Sequence, residues 1–276
     1  MTNPNAERER IYQEPGLYLY TEERARLADD GSMLPADEAP DDGLCRVIVD
    51  QRLPFDSPPA PEDQAAWMRR PFGYPTIVAM AVAALAGRQS RLWYLGEACL
   101  PDIGLVEEAL GRSVARLADT RHSRSVSPST GRIVPCHSVD VIAFRIGGGD
   151  IGPQTTLPLF ANTVSPRVFA FDRPDTEMEG ELVEIERAFI QGDDAALGHW
   201  DAINRMGFRR DGVLRFCQDA IVTVIPGGPH GDHAEIYSTR LDLRAIAAAL
   251  RAVGESAGLA CIEIPNLGDE YAKLHA

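Results

Sequence analysis

The chain has 276 residues, of which 45% are hydrophobic and 25% are charged, and its formal net charge is −14. This size and composition are those of an ordinary folded protein with a sizeable core, and they exclude a disordered or fibrous chain. The negative charge disfavours a nucleic-acid or anionic-membrane partner, because binding to phosphates needs clustered Lys and Arg.

The first 43 residues are predicted to form an N-terminal arm that is partly irregular. They are rich in Glu, Asp, Pro and Arg, with one short apolar patch at 17–20, and the stretch 28–43 has little to bury. Residues 44–276 are predicted to form a single α/β domain, and a subdivision near 150–175 is left open.

Hydrophobic patterns predict the elements of the first half of the domain. Residues 46–50 and 91–95 indicate strands, and the alanine-rich run 77–86 indicates a helix that is buried on every side. Asp102 is predicted to cap the next helix, whose apolar stripe would extend from 106 to 117. The first half therefore alternates strands and helices.

The middle of the chain continues the alternation. Residues 139–146 form the clearest strand pattern, and 167–171 indicate another strand. A helix is predicted near 178–191, ended by Gly192, and a second helix is predicted to end at Met206.

The last part of the domain is predicted to be mostly β over residues 209–241, with strands at 213–225 and 234–241 forming an antiparallel pair. Asp242 is predicted to cap a final helix, and 260–264 would be the closing strand. This last β-α-β run requires a parallel crossover. The fold class is therefore α/β (mixed α+β), with a central mixed, largely antiparallel sheet flanked by helices.

Lysine and cysteine usage limits the chemistry. Lys273 is the single lysine, so a Schiff-base enzyme, a P-loop enzyme or a protein kinase is disfavoured. The five cysteines are widely spaced without a C-x-x-C pair, which is typical of reduced thiols. No apolar signal segment or membrane span is found, so we expect a cytoplasmic location and no membrane partner.

A glycine motif follows the strand at 139–146. Gly147, Gly149 and Gly152 match G-x-G-x-x-G, and Asp172 lies where a ribose-binding acid would be. Pro153 follows at the position where the motif requires a helix, so the favoured interpretation is a glycine turn rather than a dinucleotide site.

The segment INRMGFRRDGVLRF, residues 203–216, resembles the C-terminal element of the N-acetyltransferase superfamily. In that element a helix ending in Gly-Phe leads through a charged turn into a strand. The resemblance covers about one-twentieth of the chain and implies an acyltransferase. The superfamily's pyrophosphate-binding loop has no counterpart upstream, and Gly207 is explained more simply as the C-cap of the helix.

Four ionisable residues are concentrated at 230–235, and three of them, His230, Asp232 and His233, are candidate catalytic residues. His137 is the fourth candidate, since it is the residue that could complete the set from elsewhere. Histidine and carboxylate groups serve as general acids and bases, or as ligands of zinc or iron. A solvated turn is the alternative, and the presence of a metal or cofactor is left open.

The loop 121–132 is a positive patch on a negative protein. Arg121, Arg124 and Arg132 are candidate substrate-binding residues, because guanidinium groups present forked donors to carboxylate or phosphate. The alternative is a flexible, solvated loop.

Three functions are compatible with these patterns. The first is an enzyme that acts on a small anionic metabolite, using the histidine cluster and the arginine loop. The second is a non-catalytic accessory protein that binds a partner subunit or carrier, or assembles as a homo-oligomer. The third is an acyltransferase.

Overall fold

The structure is a computed structural model that describes residues 16–52, 74–119, 124–126, 133–135, 139–151, 163–227 and 233–265. The strands in these residues are β1 (Gly16–Glu22), β2 (Cys45–Arg52), β3 (Arg91–Cys99), β4 (Ala115–Asp119), β5 (Arg124–Val126), β6 (Ile133–Pro135), β7 (Val139–Gly147), β8 (Thr163–Phe171), β9 (Val222–Gly227), β10 (His233–Ser238) and β11 (Cys261–Pro265). The α-helices are α1 (Tyr74–Ala86), α2 (Leu100–Leu110), α3 (Glu177–Gln191), α4 (Ala195–Met206), α5 (Arg210–Asp219) and α6 (Leu243–Ser256).

One nine-stranded mixed sheet organises the fold, in the order β11-β1-β2-β10-β9-β8-β3-β7-β4. Its neighbours are antiparallel except for β11, which pairs in parallel with β1. Helix α6 connects β10 to β11 across β2 and β1, which is the predicted parallel crossover. The predicted fold class is therefore confirmed. Strands β5 and β6 form a separate small hairpin.

Helices α1, α2 and α6 cover one face of the sheet. Residues 77–79 and 81–83 of α1 are buried against alternate positions of the central strands, such as Val47, Tyr94 and Phe144. The helix is confirmed and largely buried, but not on every side, because Ala84 is exposed. It ends at Gly87, whose φ of 84° is left-handed.

The opposite face carries α3, α4 and α5 over its β3, β7, β8 and β9 side. Large aromatic side chains dominate this second core, among them Trp93, Phe169, Trp200 and Phe216, and each is at most 1% exposed. The remaining part of this face, over β1, β2 and β10, carries polar side chains next to a small apolar cluster of Tyr18, Tyr20 and Ile48.

The predicted strand 213–225 is wrong over its first half. Residues up to Asp219 form helix α5, and only Val222 onwards is extended. The buried residues Val213, Phe216 and Cys217 recur at the three- and four-residue spacing of a helical face. The antiparallel pair itself is present, because β9 pairs with β10.

The predicted start and length of the second helix also require correction. Helix α2 begins at Leu100, so Asp102 lies inside its first turn. It ends at Leu110 before Gly111, whose φ is 63°, so Val114 and Leu117 do not extend the helical stripe. Leu117 is instead buried from strand β4.

The first described strand lies inside the stretch expected to be an arm. Residues 16–22 form β1, and every one of them is buried. The apolar patch therefore contributes a strand between β2 and β11, whereas the domain division itself stays a prediction. No helix among the described residues is long and apolar enough to cross a bilayer.

Candidate ligand-binding site

A band of polar side chains crosses the sheet where β1, β2 and β10 run side by side. Glu22 is the cross-strand partner of Arg46, and Arg46 is the partner of Tyr237. Glu235, two residues before Tyr237, faces the same side because alternate residues of a strand share a face. The register therefore assembles two carboxylates, a guanidinium and a phenol from three strands.

Arg46 lies buried at the centre of this band, with 6% of its side chain exposed. Its Nε donates to Glu22 Oε2 at 2.9 Å, and its Nη2 is 2.7 Å from the same oxygen. Its Nη1 reaches Glu235 Oε2 at 3.4 Å. Burial opposes the charge, but the neighbouring Tyr237, Glu235 and Glu22 raise the pKa of Arg46 above its ordinary value.

Glu235 is the one member of the band that keeps appreciable exposure. Its side chain is 20% exposed, compared with 3% for Glu22. Burial would raise its pKa, but the interaction with His233, the charge of Arg46 and the hydroxyl of Tyr237 together lower it to about 2. The Glu235 carboxylate is therefore ionised at neutral pH.

Tyr237 holds that carboxylate in place. Its hydroxyl donates a hydrogen bond to Glu235 Oε2, the oxygen that also faces Arg46. Burial and the adjacent carboxylate raise the pKa of Tyr237 well above its ordinary value, so the phenol remains a donor. One oxygen of Glu235 is thus fixed by two donors.

A small pocket of about 190 Å³ opens over this charged floor, and we call it the Glu235 pocket. Its walls are mostly apolar and come from the 27–33 loop on one side and the turn after α4 on the other. The lining residues are Leu27, Gly31, Ser32, Met33, Arg46, Ile48, Gly207, Phe208, Ile225, Glu235 and Tyr237.

Arg210 fixes the 27–33 loop as a wall of the pocket. Its Nη1 donates to the carbonyl oxygens of Ala25 and of Leu27, and its Nε donates to Asp42 Oδ2 at 3.1 Å. Gly31 has a φ of 86°, and a Cβ there would lie 2.8 Å from the carbonyl oxygen of Phe208. The two walls therefore meet in direct contact.

Arg167 lies behind the Phe208 wall and is completely buried. Its guanidinium carbon is 5.2 Å from the centre of the Trp200 ring and 5.5 Å from that of Phe208, so it lies in cation–π contact with both. Burial lowers the pKa of Arg167 to about 10. A Cβ on Gly207 would be 3.3 Å from Arg167 Nε, so the turn after α4 packs directly on the guanidinium.

Comparison with protein-family profiles, with curated proteins and with solved structures finds no match for this chain. What the Glu235 pocket binds is therefore inferred from its own shape, charge and contacts.

His233 is the one predicted catalytic residue whose side chain is described. It begins β10 and is 9% exposed, and its Nε2 lies 3.6 Å from Glu235 Oε1. It contacts the oxygen that Tyr237 and Arg46 leave open. Because His233 does not line the pocket, its contact with the pocket is through Glu235.

The other predicted site residues are not brought to this site by described contacts. His230, Asp232, His137, Arg121 and Arg132 lie outside the described residues, and Arg124 is described only as the start of the β5 backbone. Their catalytic and substrate-binding roles stay predictions. Within the described residues, no group of three or more His, Cys, Asp or Glu side chains could hold a metal ion.

The sequence interpretation missed Arg46, Glu22 and Tyr237. Tyr237 carried a signal, because His233, Glu235 and Tyr237 alternate along one strand and so share a face. No local sequence signal pointed to Arg46 or Glu22, because their pairing depends on the register between β1 and β2.

The structure of residues 203–216 does not match the acyltransferase element that they resemble. Residues 203–216 form the end of α4, a tight turn and most of α5, so the expected passage from helix to strand is wrong. Gly207 is the C-cap of α4, as the alternative interpretation required, although its φ of −62° is right-handed. Gly212 is buried against the backbone of Met206, which explains the close turn between the two helices.

The glycine motif also forms a turn. Gly147 ends β7, and residues 148–150 form a single 3-10 turn in place of the α-helix start that a pyrophosphate site uses. The carboxylate of Asp172 binds Arg240 through both oxygens, at 2.7 and 2.5 Å.

A larger groove of about 730 Å³ lies between α3 and α4. Four of its charged side chains form exposed ion pairs, Arg187 with Glu184 at 2.7 Å and Arg215 with Glu181. These paired side chains are more exposed to solvent than the Glu235 carboxylate is.

Proposed function

We propose that this protein binds a small molecule in the Glu235 pocket, as a participant in small-molecule metabolism. The observation that carries the proposal is an ionised carboxylate, fixed by Tyr237 and Arg46, that remains 20% exposed on the floor of an otherwise apolar cavity. Ligand sites are concave and mostly apolar, with a few polar groups that set orientation.

The size of the pocket restricts the ligand. At about 190 Å³ it is smaller than the 300–1,000 Å³ typical of drug-sized ligands. It suits a small metabolite or one arm of a larger one. The lining combines the 27–33 loop, the turn after α4 and the sheet, so a ligand that fills the pocket would contact all three.

A purely structural role for the polar band is the main competitor. Buried ion pairs contribute little net stability compared with apolar residues of similar size. Three members of the band, Glu235, Arg46 and Tyr237, line the cavity, and the most exposed of them is Glu235. Glu22 is more buried and does not line it. That gradient favours a functional role for Glu235.

Catalysis by His233 is a second candidate, favoured by its 3.6 Å contact with Glu235. A carboxylate beside a histidine orients the ring, as a general acid or base requires. For this second candidate we propose an anionic substrate that Arg121, Arg124 and Arg132 bind, and a cytoplasmic location. The free thiols Cys45, Cys217 and Cys261 support a reducing compartment.

A fragment screen by ligand-observed NMR tests the proposal. Binders are measured against the wild type, against the pocket variants Glu235→Gln and Phe208→Ala, and against Glu108→Gln, an exposed change on α2 across the sheet. We expect a set of fragments whose binding is lost in both pocket variants and kept in the control. Fragments that bind all four proteins alike, or none that bind, would overturn the proposal.

The same experiment separates binding from catalysis. Fragments that bind the pocket are followed for chemical conversion by the wild type and by His233→Asn. Conversion that His233→Asn abolishes while binding persists supports an enzyme. Binding without conversion supports a non-catalytic small-molecule protein.

A further inference from the structure

We infer that the ligand of the Glu235 pocket carries a positive charge, as a primary amine or a guanidinium, on a small apolar body. This inference rests on the proposed function and names the ligand class for that site. It follows from the charge of the floor, the nature of the rim and the position of the two arginines.

The polar band under the pocket contains two carboxylates and one guanidinium, and the His233 imidazole lies beside it, with Nε2 3.6 Å from Glu235 Oε1. Arg46 supplies one positive charge and faces two carboxylates, those of Glu22 and Glu235. The contacts of Glu235 with Arg46 and His233 are long, at 3.4 and 3.6 Å, so a cation entering the pocket would add a closer counter-charge to this carboxylate. Ion pairs are most favourable when each buried charge has its partner.

The group that a ligand meets on this floor is a carboxylate. Glu235 is 20% exposed, whereas Arg46 is 6% exposed and is covered by its own carboxylate partners. Tyr237 and Arg46 contact Oε2 of Glu235, and His233 Nε2 lies 3.6 Å from Oε1, so a ligand donor would use the accepting capacity that these contacts leave on the carboxylate. An ammonium or guanidinium group provides such donors together with the opposite charge.

The rim of the pocket suits the apolar body of such a ligand. Three large hydrophobic side chains are exposed among the described residues, and two of them, Met33 and Phe208, line this pocket. Their exposed fractions are 39% and 44%. Aromatic rings and thioethers also attract cations and polarisable groups, which strengthens the preference for a cation on this wall.

The guanidinium that an anionic ligand would meet in this pocket is that of Arg46, which already faces two carboxylates. Arg46 is engaged by Glu22 through both Nε and Nη2, so an anion would have to displace that carboxylate. Arg167 is fully buried behind Phe208 and Gly207. An anion would therefore compete with Glu22 and Glu235 for Arg46, and it would not reach Arg167.

Three probes of matched shape test the charge preference: phenethylamine, 2-phenylethanol and 3-phenylpropanoate. We expect saturable binding of the amine to the wild type, measured by NMR titration, with the alcohol and the acid at least about tenfold weaker. Glu235→Gln should weaken the binding of the amine by about tenfold or more. Glu235→Asp keeps the charge and should retain part of the affinity that Glu235→Gln loses. Glu108→Gln is the control and should bind the amine like the wild type.

The outcomes separate the ligand class from the proposed function. If the alcohol or the acid binds as tightly as the amine and is lost in Phe208→Ala, the pocket binds small molecules but the cation inference is overturned. If the amine binds Glu235→Gln as tightly as the wild type, the inference is likewise overturned. If neither these probes nor any screened fragment binds in a way that depends on Phe208 and Glu235, both proposals fail.

Discussion

Arg46 and Glu22 face each other directly across strands β2 and β1, and two nitrogens of the guanidinium contact the same carboxylate oxygen. This pair is almost completely enclosed, with exposed fractions of 6% and 3% for the two side chains. Its position beneath Glu235 means that the stability of the sheet and the charge of the pocket depend on the same arginine.

Replacing Arg46 should therefore destabilise the protein strongly. Arg46→Met leaves the Glu22 and Glu235 carboxylates uncompensated in a buried site, which typically costs about 3–5 kcal/mol. Urea unfolding at neutral pH measures the change. The control is Arg24→Met, whose partner Asp41 and whose own side chain are 76% and 53% exposed, and it should change stability by no more than about 0.5 kcal/mol. Equal stability of the two variants would contradict the prediction.

The low pKa of Glu235 makes a specific contribution to stability as a function of pH. Its folded pKa of about 2 lies below the ordinary value of 4.5, so the folded state favours the ionised form. The contribution is complete above the unfolded pKa and is lost as the pH falls from about 5 towards 2. Its upper bound is about 3 kcal/mol, from 1.36 kcal/mol per pKa unit.

Urea unfolding of the wild type and of Glu235→Gln between pH 3 and pH 7 measures this contribution. Other carboxylates, including the Arg240 partner Asp172, titrate in both proteins, so the difference between the two curves isolates Glu235. We expect the stability difference to shrink as the pH falls. A difference that is constant across this range would show that Glu235 is not stabilised in its ionised form.

Much of the fold could be predicted because local signals agreed with the tertiary structure. Asp242 both precedes an amphipathic run and accepts a hydrogen bond from Ala245 N at 2.7 Å, and Gly192 ends α3 with a φ of 69°. The interpretation failed at 213–225, where no Gly or Pro separates Asp219 from Val222. Without a breaker, a helix and the following strand read as one apolar segment.

The site was less predictable because it depends on register. His233 and Glu235 belong to one short cluster and could be singled out together, whereas Arg46 lies 189 residues from Glu235 in sequence. A shift of one residue between β2 and β10 would direct Arg46 to the other face. Local patterns carry no information about that register, so the pairing emerges only from the assembled sheet.

Helix α1 provides a test of the predicted buried element. Val82→Asp places a carboxylate at a position that is 0% exposed and surrounded by apolar side chains, and we expect it to prevent soluble expression. Ala84→Asp is the matched control, since residue 84 is exposed on the same helix. It should express and melt close to the wild type. Normal expression and melting of Val82→Asp would show that this face of α1 is not part of the core.

Helices α4 and α5 provide a second matched pair, because each contains a glycine and the two glycines have opposite surroundings. A Cβ on Gly212 would lie 2.3 Å from the carbonyl oxygen of Met206, which is backbone and cannot move aside, whereas a Cβ on Gly198 in α4 meets nothing within 4 Å. Gly212→Ala should therefore destabilise the protein by about 1–3 kcal/mol through overpacking. Gly198→Ala should stabilise it by about 0.5–1 kcal/mol, because alanine is the better helix former.

Thermal and urea unfolding measure both changes, and the amine titration reports whether Gly212→Ala also displaces Phe208 from the Glu235 pocket. If Gly212→Ala is as stable as Gly198→Ala, the two helices do not approach as closely at this turn as the structure has them.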